Sequence, residues 1–208
     1  MDKCESQKVY IAGYEYDIPF YYQSIKALPG DPPGAVPFAV ATPYAQCFFL
    51  GYEIKKEEMI PPRQDALIDG IRQFLSERQG IIECDSNGIM SYSIVKTLSE
   101  PHGVQYTLTF QEIVEDKIIF IQGSFEEDGQ TGMRDTIVYG LMRENNQVGT
   151  EENPFEGWAK DPYDENVTTG ALMNMSELRQ FDSEFPGTPL MICRELLDFL
   201  VKSGENRQ

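Results

Sequence analysis

The sequence predicts an α+β domain, a twisted antiparallel sheet covered by helices with an acidic helical C-terminal extension. Three observations predict it. Between residues 61 and 142 the apolar period runs from helical to alternating and back, giving helix, three strands, helix. Short turns separate those strands, which suits antiparallel neighbours. The composition, 41% hydrophobic and 12% aromatic over 208 residues, is that of a chain that folds around a core without metal or disulfide staples. Residues 1–143 read as the sheet domain. Residues 144–208 read as the acidic extension, packed on the same domain.

The first element alternates. Tyr10, Ala12, Tyr14, Tyr16, Ile18 and Phe20 share one parity against Gly13, Glu15, Asp17 and Pro19. That is the pattern of a strand with one buried face, ending at or lying on an edge near Pro19. LPGDPPGAVP, residues 28–37, is a loop by its prolines and glycines. Residues 38–42 and 46–54 read as a strand pair around Pro43, with Phe48, Leu50, Tyr52 and Ile54 on one face.

Pro61-Pro62 opens a helix, because proline tolerates the first turn. Its stripe is Leu67, Ile68, Ile71, Phe74 and Leu75, and Gly80 is its stop. Met90, Tyr92, Ile94 and Leu98 line the first strand of the meander. Val104, Tyr106, Leu108 and Phe110 line the second. The third, residues 117–125, is apolar on both faces and is predicted to be central. FEEDGQTG turns the chain into a helix over 132–143 that buries Met133, Ile137, Val138 and Leu141. Residues 144–153 are a polar linker, 175–181 a short helix. Thr188-Pro189 opens a last helix with Leu190, Cys193, Leu196, Leu197 and Leu200 inward and Gly204 as its stop.

The helix QDALIDGIRQFLSERQG, the strands MSYSIVKTL and VQYTLTFQEI, and the closing DKIIFIQGSFEEDGQTGMRDTIVYGLM occur in an order that resembles the PsbP-like superfamily over residues 38–142. That group includes photosystem II extrinsic proteins, a Ran-binding nuclear import factor and bacterial DcrB-type proteins. The resemblance implies a twisted antiparallel sheet with helices on its faces, and binding roles more often than catalysis. It carries over no functional residue and no ligand.

The charge excludes some partners. With 34 Asp+Glu against 17 Lys+Arg the chain carries −17, which disfavours nucleic acid and anionic membranes and suits solubility or a basic protein partner. Cys4, Cys47, Cys84 and Cys193 are far apart, with no CxxC pair for zinc. The opening residues lack a signal-peptide core, and no window approaches a membrane span, so a cytoplasmic setting with free thiols is expected.

No residue is assigned to catalysis, to a cofactor or to a metal. His102, the single histidine, lies in Glu-Pro-His-Gly, a hairpin turn where a general base lacks a positioned partner. DPYDEN at 161–166 has Tyr163 and Asn166 where a calcium loop needs a ligand and a glycine, so it reads as an Asp-Pro turn. Glu126-Glu127-Asp128 and Glu57-Glu58 are candidate acid–base pairs that read more simply as solvated turns. Gly129-Gln130-Thr131-Gly132 enters a helix, with Arg134 as the one nearby cation for an anion. The candidate interaction residues are Phe155, Trp158 and Tyr163 in the aromatic, acidic stretch after 153, because Trp and Tyr anchor interfaces. The competing role for them is pinning the extension onto the sheet. Three functions follow: a non-enzymatic protein-interaction protein, a hydrolase using paired carboxylates in a pocket between sheet and extension, or a self-associating module.

Overall fold

The structure is a computed structural model that describes residues 5–54, 60–99 and 103–207. Two strands, β1 (Ser6–Ile11) and β2 (Tyr14–Pro19), form an antiparallel hairpin in which Ile11 faces Tyr14. The predicted single strand is therefore two. Ala12 and Gly13, both at positive φ, make a two-residue turn of the kind that matches strand twist. The buried parity changes at the turn. Val9 and Ile11 are inward on β1, Tyr16 and Ile18 on β2, while Tyr10 and Phe20 are exposed.

The main sheet has seven strands, all antiparallel. They are β3 (Gln23–Ser24), β4 (Val36–Ala41), β5 (Ala45–Ile54), β6 (Gln79–Ser86), β7 (Met90–Leu98), β8 (Val104–Val114) and β9 (Lys117–Glu127), in the spatial order β3-β4-β5-β9-β8-β7-β6. The doubly apolar β9 occupies the middle position, as its sequence predicts. The meander has four strands, since the stretch expected to end the first helix is β6. That helix, α1 (Gln64–Arg72), is nine residues long and buries Ile68 against Ile81 and Cys84 of β6. Phe74, expected on its stripe, is 85% exposed beyond the helix end. Gly80 is not a helix stop. It lies inside β6, and a methyl group there would sit 2.0 Å from the Ala171 carbonyl oxygen.

One face of the sheet carries the core. Cys47 and Phe49 of β5, Ile94 of β7, Tyr106, Leu108 and Phe110 of β8, and Ile121 and Phe125 of β9 pack there with the β1–β2 hairpin and the last helix. Phe48, Leu50, Tyr52 and Ile54 do share a face, but it is the opposite, half-buried one. Along the inward parity the apolar series is interrupted by Lys96 on β7 and Glu112 on β8, both buried.

Two further helices complete the fold. The first, α2 (Met133–Glu144), buries Arg134, Val138 and Met142; Ile137 and Leu141, expected inside, are 46% and 48% exposed. The helix is rotated because Arg134 is drawn inward to Asp182 at 2.8 Å and to the Ser176 carbonyl. After a two-strand ladder of β10 (Ala159–Lys160) with β11 (Met173–Asn174) come 3-10 turns at Met175–Glu177 and Arg179–Glu184. The final helix, α3 (Pro189–Glu205), runs across β2, β5, β8 and β9. Its predicted face is fully buried. Gly204 lies within α3, where a methyl group would press on Met90 and the Glu112 carboxylate at 2.9 and 3.3 Å.

Candidate functional site

The extension is bound to the sheet by charge as well as by apolar contact. Lys96, 4% exposed at its side chain, donates to Glu177 at 2.8 Å and to the Leu172 carbonyl at 2.6 Å. Tyr106 and the Asn174 N–H donate to the same Glu177 carboxylate. A second chain of ion pairs links Arg134, Asp182, Arg194, Glu83, Arg179 and Asp198 across α2, β6 and α3. At the other end of the sheet Arg207 donates twice to buried Glu112 and lies 4.1 Å over the Tyr16 ring.

The three aromatic residues singled out from sequence do not meet at one place. Trp158 stands edge-on to Tyr139 of α2 at 5.2 Å, beside Val138, Met142, Val148 and Phe185. Phe155 lies tilted on the same Tyr139 at 5.3 Å but is 63% exposed. Tyr163 belongs to the α1–β6 cluster. Its hydroxyl accepts from the Cys84 N–H at 2.7 Å and donates to the Cys84 carbonyl at 3.2 Å. Strand β6 is the edge of the sheet, so Tyr163 satisfies backbone groups that would otherwise be open to another strand. Of the three, Phe155 alone presents most of its side chain to solvent.

Asp161 accepts from Arg72 and from the Tyr163 and Asp164 N–H groups, the bonding of an Asp-Pro turn. Cys47, Cys84 and Cys193 are buried thiols, and burial pushes Cys47 up to about 12 and Cys84 up to about 11. Cys4, Glu57-Glu58 and His102 lie outside the described residues.

A cavity of about 550 Å³ opens where the first turns of α2 and α3 meet the ends of β7, β8 and β9. Its walls mix apolar and polar groups: Leu98, Val104, Met133 and Leu190 stand beside the Tyr44 and Tyr106 rings, with Arg78, Gln130, Thr131 and Arg134 also in the lining. Two carboxylates line it, Glu127 and Asp135. Glu127 accepts from the Val104 and Gly132 N–H groups and so closes the start of α2, whose Gly132 cap offers no side chain. Burial raises its carboxyl above the ordinary range, and Asp135 and Glu177 push the same way. Asp135 is held by the Ser176 hydroxyl and the Asn174 amide. The Glu126-Glu127-Asp128 run is thus not one solvated turn: Glu127 points into the cavity while Glu126 and Asp128 are exposed. The signal in the sequence was the parity of β9, which Glu127 continues from Phe125.

Among the described residues no group of three His, Cys, Asp or Glu side chains is placed to hold a metal, and no helix is long and apolar enough to cross a membrane.

No family model and no curated protein matches the chain. Solved structures do resemble it. The Ran-binding protein Mog1p of Saccharomyces cerevisiae aligns over 71% of this chain and 86% of its own length, at 8% identity and a TM-score of 0.44. A point mutant of protein Mog1 aligns over 96% and 94%, at 9% identity and a TM-score of 0.48. At these values the likeness concerns the order of strands and helices. Ran binding is a property of the yeast protein, and nothing about this chain's site is drawn from it. The α+β class rests on the strands and helices described above.

Proposed function

We propose that the chain is a non-enzymatic, cytoplasmic protein-interaction module whose partner carries positive charge, and that Phe155 is one of its contact residues. The observation that carries this reading is the surface around Phe155. Residues 151–157 are all exposed, and within them a large aromatic ring is flanked by Glu151, Glu152 and Glu156. An aromatic anchor inside an acidic rim suits a basic protein surface, since aromatic groups supply most interface energy and rim charges supply steering. Trp158 supports that surface from behind through Tyr139, whereas Tyr163 lies apart from it against β6.

Hydrolysis by paired carboxylates fits the cavity less well. A second acid–base group must be free to act, and Asp135 is committed to Ser176 and Asn174.

The test is affinity capture from native lysate with the full chain and with Phe155→Ser, at low and high salt. The reading expects one stoichiometric partner, lost at high salt and weakened by the substitution, while the melting temperature of the variant is unchanged. Capture that is indifferent to both salt and Phe155 would overturn it.

A further inference from the structure

Where the β10–β11 ladder of the extension approaches β6 and α3, the chain leaves a second cleft, of about 350 Å³. Lys160 pairs directly with Met173 across the ladder, so their side chains share a face. Pro162, Met175 and Leu178 continue that wall, Ile82 closes it from β6, and the lining between them is chiefly apolar. A bulge in β6 between Ile81 and Glu83 shapes the opposite side. In a regular strand Ile82 and Glu83 would face opposite ways. The extra residue turns both toward α3: Ile82 joins the main core and Glu83 reaches Arg194, while Ile81 and Cys84 pack with α1.

The charge around this cleft has a definite sign. Arg134, Arg179 and Arg194 are matched by Glu83, Asp182 and Asp198 in one connected set, neutral by itself. Both oxygens of Glu83 are taken by Arg179 and Arg194. Lys160, exposed on the rim, makes no ion pair among the described residues, and its neighbour Asp161 is bound to Arg72. It therefore adds one positive charge to a neutral set. Arg194 adds an open donor. Its side chain is 3% exposed, its Nε and Nη1 donate to Glu83 and Asp182, and its Nη2 has no acceptor among the described residues. That nitrogen is not sealed in the core, since the fully enclosed side-chain atoms without a partner are Tyr22 Oη and Arg134 Nη1. Arg194 lines the cleft, so the open donor faces into it. A cation here would meet Lys160 and that donor, and a neutral apolar molecule would leave the donor unmade. An inorganic anion would leave the apolar wall bare. A negative group on an apolar stem satisfies all three.

We propose that this cleft binds a small organic carboxylate, its charged end met by Arg194 Nη2 and Lys160 and its apolar body lying on Met173, Met175 and Leu178. The site goes beyond the protein-interaction reading and is opposite in sign to the Phe155 surface. Both cationic groups can donate charge-assisted bonds to a carboxylate, and the unbranched methionines adapt to the body they cover. The volume, about 350 Å³, lies at the small end of the roughly 300–1,000 Å³ of sites that enclose a ligand, which suits a free acid rather than a length of chain.

The test is an amide-shift titration of the full, isotope-labelled chain at neutral pH with hexanoate, its uncharged analogue hexanamide, and acetate, which has the charge without the body. The expected result is saturable shifts at Ile82, Met173, Met175 and Leu178 with hexanoate. Its affinity should be about tenfold above that of either other probe, because one needed contact is missing from each. High salt should weaken hexanoate and leave hexanamide unchanged. Arg194 is bound into the core and is left intact. The variants are Lys160→Gln and Lys160→Glu, on an exposed side chain with no ion pair to lose. The first should reduce the preference for hexanoate over hexanamide, and the second should abolish or reverse it, with the melting temperature unchanged in both. Equal affinity for hexanoate and hexanamide, shifts at other residues, or a preference that survives Lys160→Glu would overturn the proposal. Tighter binding of N-acetyl-norleucine, which carries its carboxylate on a peptide end, would overturn the choice of a free acid.

Discussion

Replacing Lys96 with methionine should be among the most damaging single changes in the molecule. The ammonium and the Glu177 carboxylate are 4% and 1% exposed at their side chains, so neither is solvated by water. Deleting one member of such a pair strands the other charge and costs roughly 3–5 kcal/mol. Glu177 would keep two donors, the Tyr106 hydroxyl and the Asn174 N–H, which puts Lys96→Met near the lower end, about 3 kcal/mol. In a chain of this length that corresponds to a fall in melting temperature of roughly 6–12 °C. Glu177→Gln should cost a comparable amount, because buried Lys96 then loses its counter-charge and keeps neutral acceptors only. The double variant Lys96→Met, Glu177→Gln removes both charges, keeps an acceptor for one of Tyr106 and Asn174, and should recover about 2 kcal/mol of the summed losses. Urea melts of the four proteins close the cycle. A Lys96→Met cost below about 1 kcal/mol, the range of surface pairs, would refute the reasoning by showing that the extension is not held by this pair.

Four other outcomes follow from packing and titration. Gly80→Ala should lose roughly 1–3 kcal/mol by overpacking against the Ala171 carbonyl, and Gly204→Ala should fail to deliver the ~1 kcal/mol that alanine gives in a helix, both read by urea midpoint. Trp158→Ala should destabilise by about 2 kcal/mol or more as the Val138–Phe185 cluster loses its cover, whereas Phe155→Ala should stay within about 0.5 kcal/mol; equal losses would contradict the difference in burial. Alkylation at mildly alkaline pH should spare Cys47, Cys84 and Cys193 until urea unfolds the chain, with site occupancy followed by mass spectrometry, because burial keeps all three as thiols. Burial also raises Tyr16, Tyr22, Tyr106 and Tyr163, so their contribution is fully present below the unfolded tyrosine value and lost as pH climbs toward the folded one; stability should fall from about pH 8.5, where unfolded cysteine ionises, and steepen above about pH 10. A urea midpoint that is flat across that window would contradict those positions.

The apolar elements were legible and the buried charges were not. The inward face of α3, the pairing of β4 with β5 and the central place of β9 all follow from periodicity, because each is an unbroken apolar series. The alternation misleads at the hairpin for a geometric reason. A two-residue turn at Ala12-Gly13 pairs odd positions with even ones, so a run of one parity crosses from the inner to the outer face. Hydropathy misplaces the inner face of α2 because the residue that fixes its rotation is Arg134, while Ile137 and Leu141 are the more apolar. Lys96 and Glu112 escaped for the same reason. Each is neutralised by a residue far along the chain, Glu177 and Arg207, and no local pattern announces such a partner. The cavity was invisible in sequence because its walls come from seven separate stretches, although Glu127 could have been placed by continuing the parity of β9.

The buried ion pairs also bear on how the surface acts. The chain's 17 basic residues do not simply offset half of its 34 acidic ones at the surface. Lys96, Arg134 and Arg194 are buried in pairs, and Arg72, Arg179 and Arg207 are tied to carboxylates across the fold. These cations hold the extension, the edge strand β6 and the last helix in place. They are therefore not free to balance Glu126, Glu144, Glu151, Glu152, Glu156 and Glu184, which stand exposed. Each of these cations takes a carboxylate with it, so the net charge outside is little changed, but the exposed carboxylates are left with fewer basic neighbours. The same arrangement that secures the extension to the sheet leaves Phe155 on an acidic rim. A cationic partner would meet negative potential at that rim, where Glu151, Glu152 and Glu156 stand exposed around the ring.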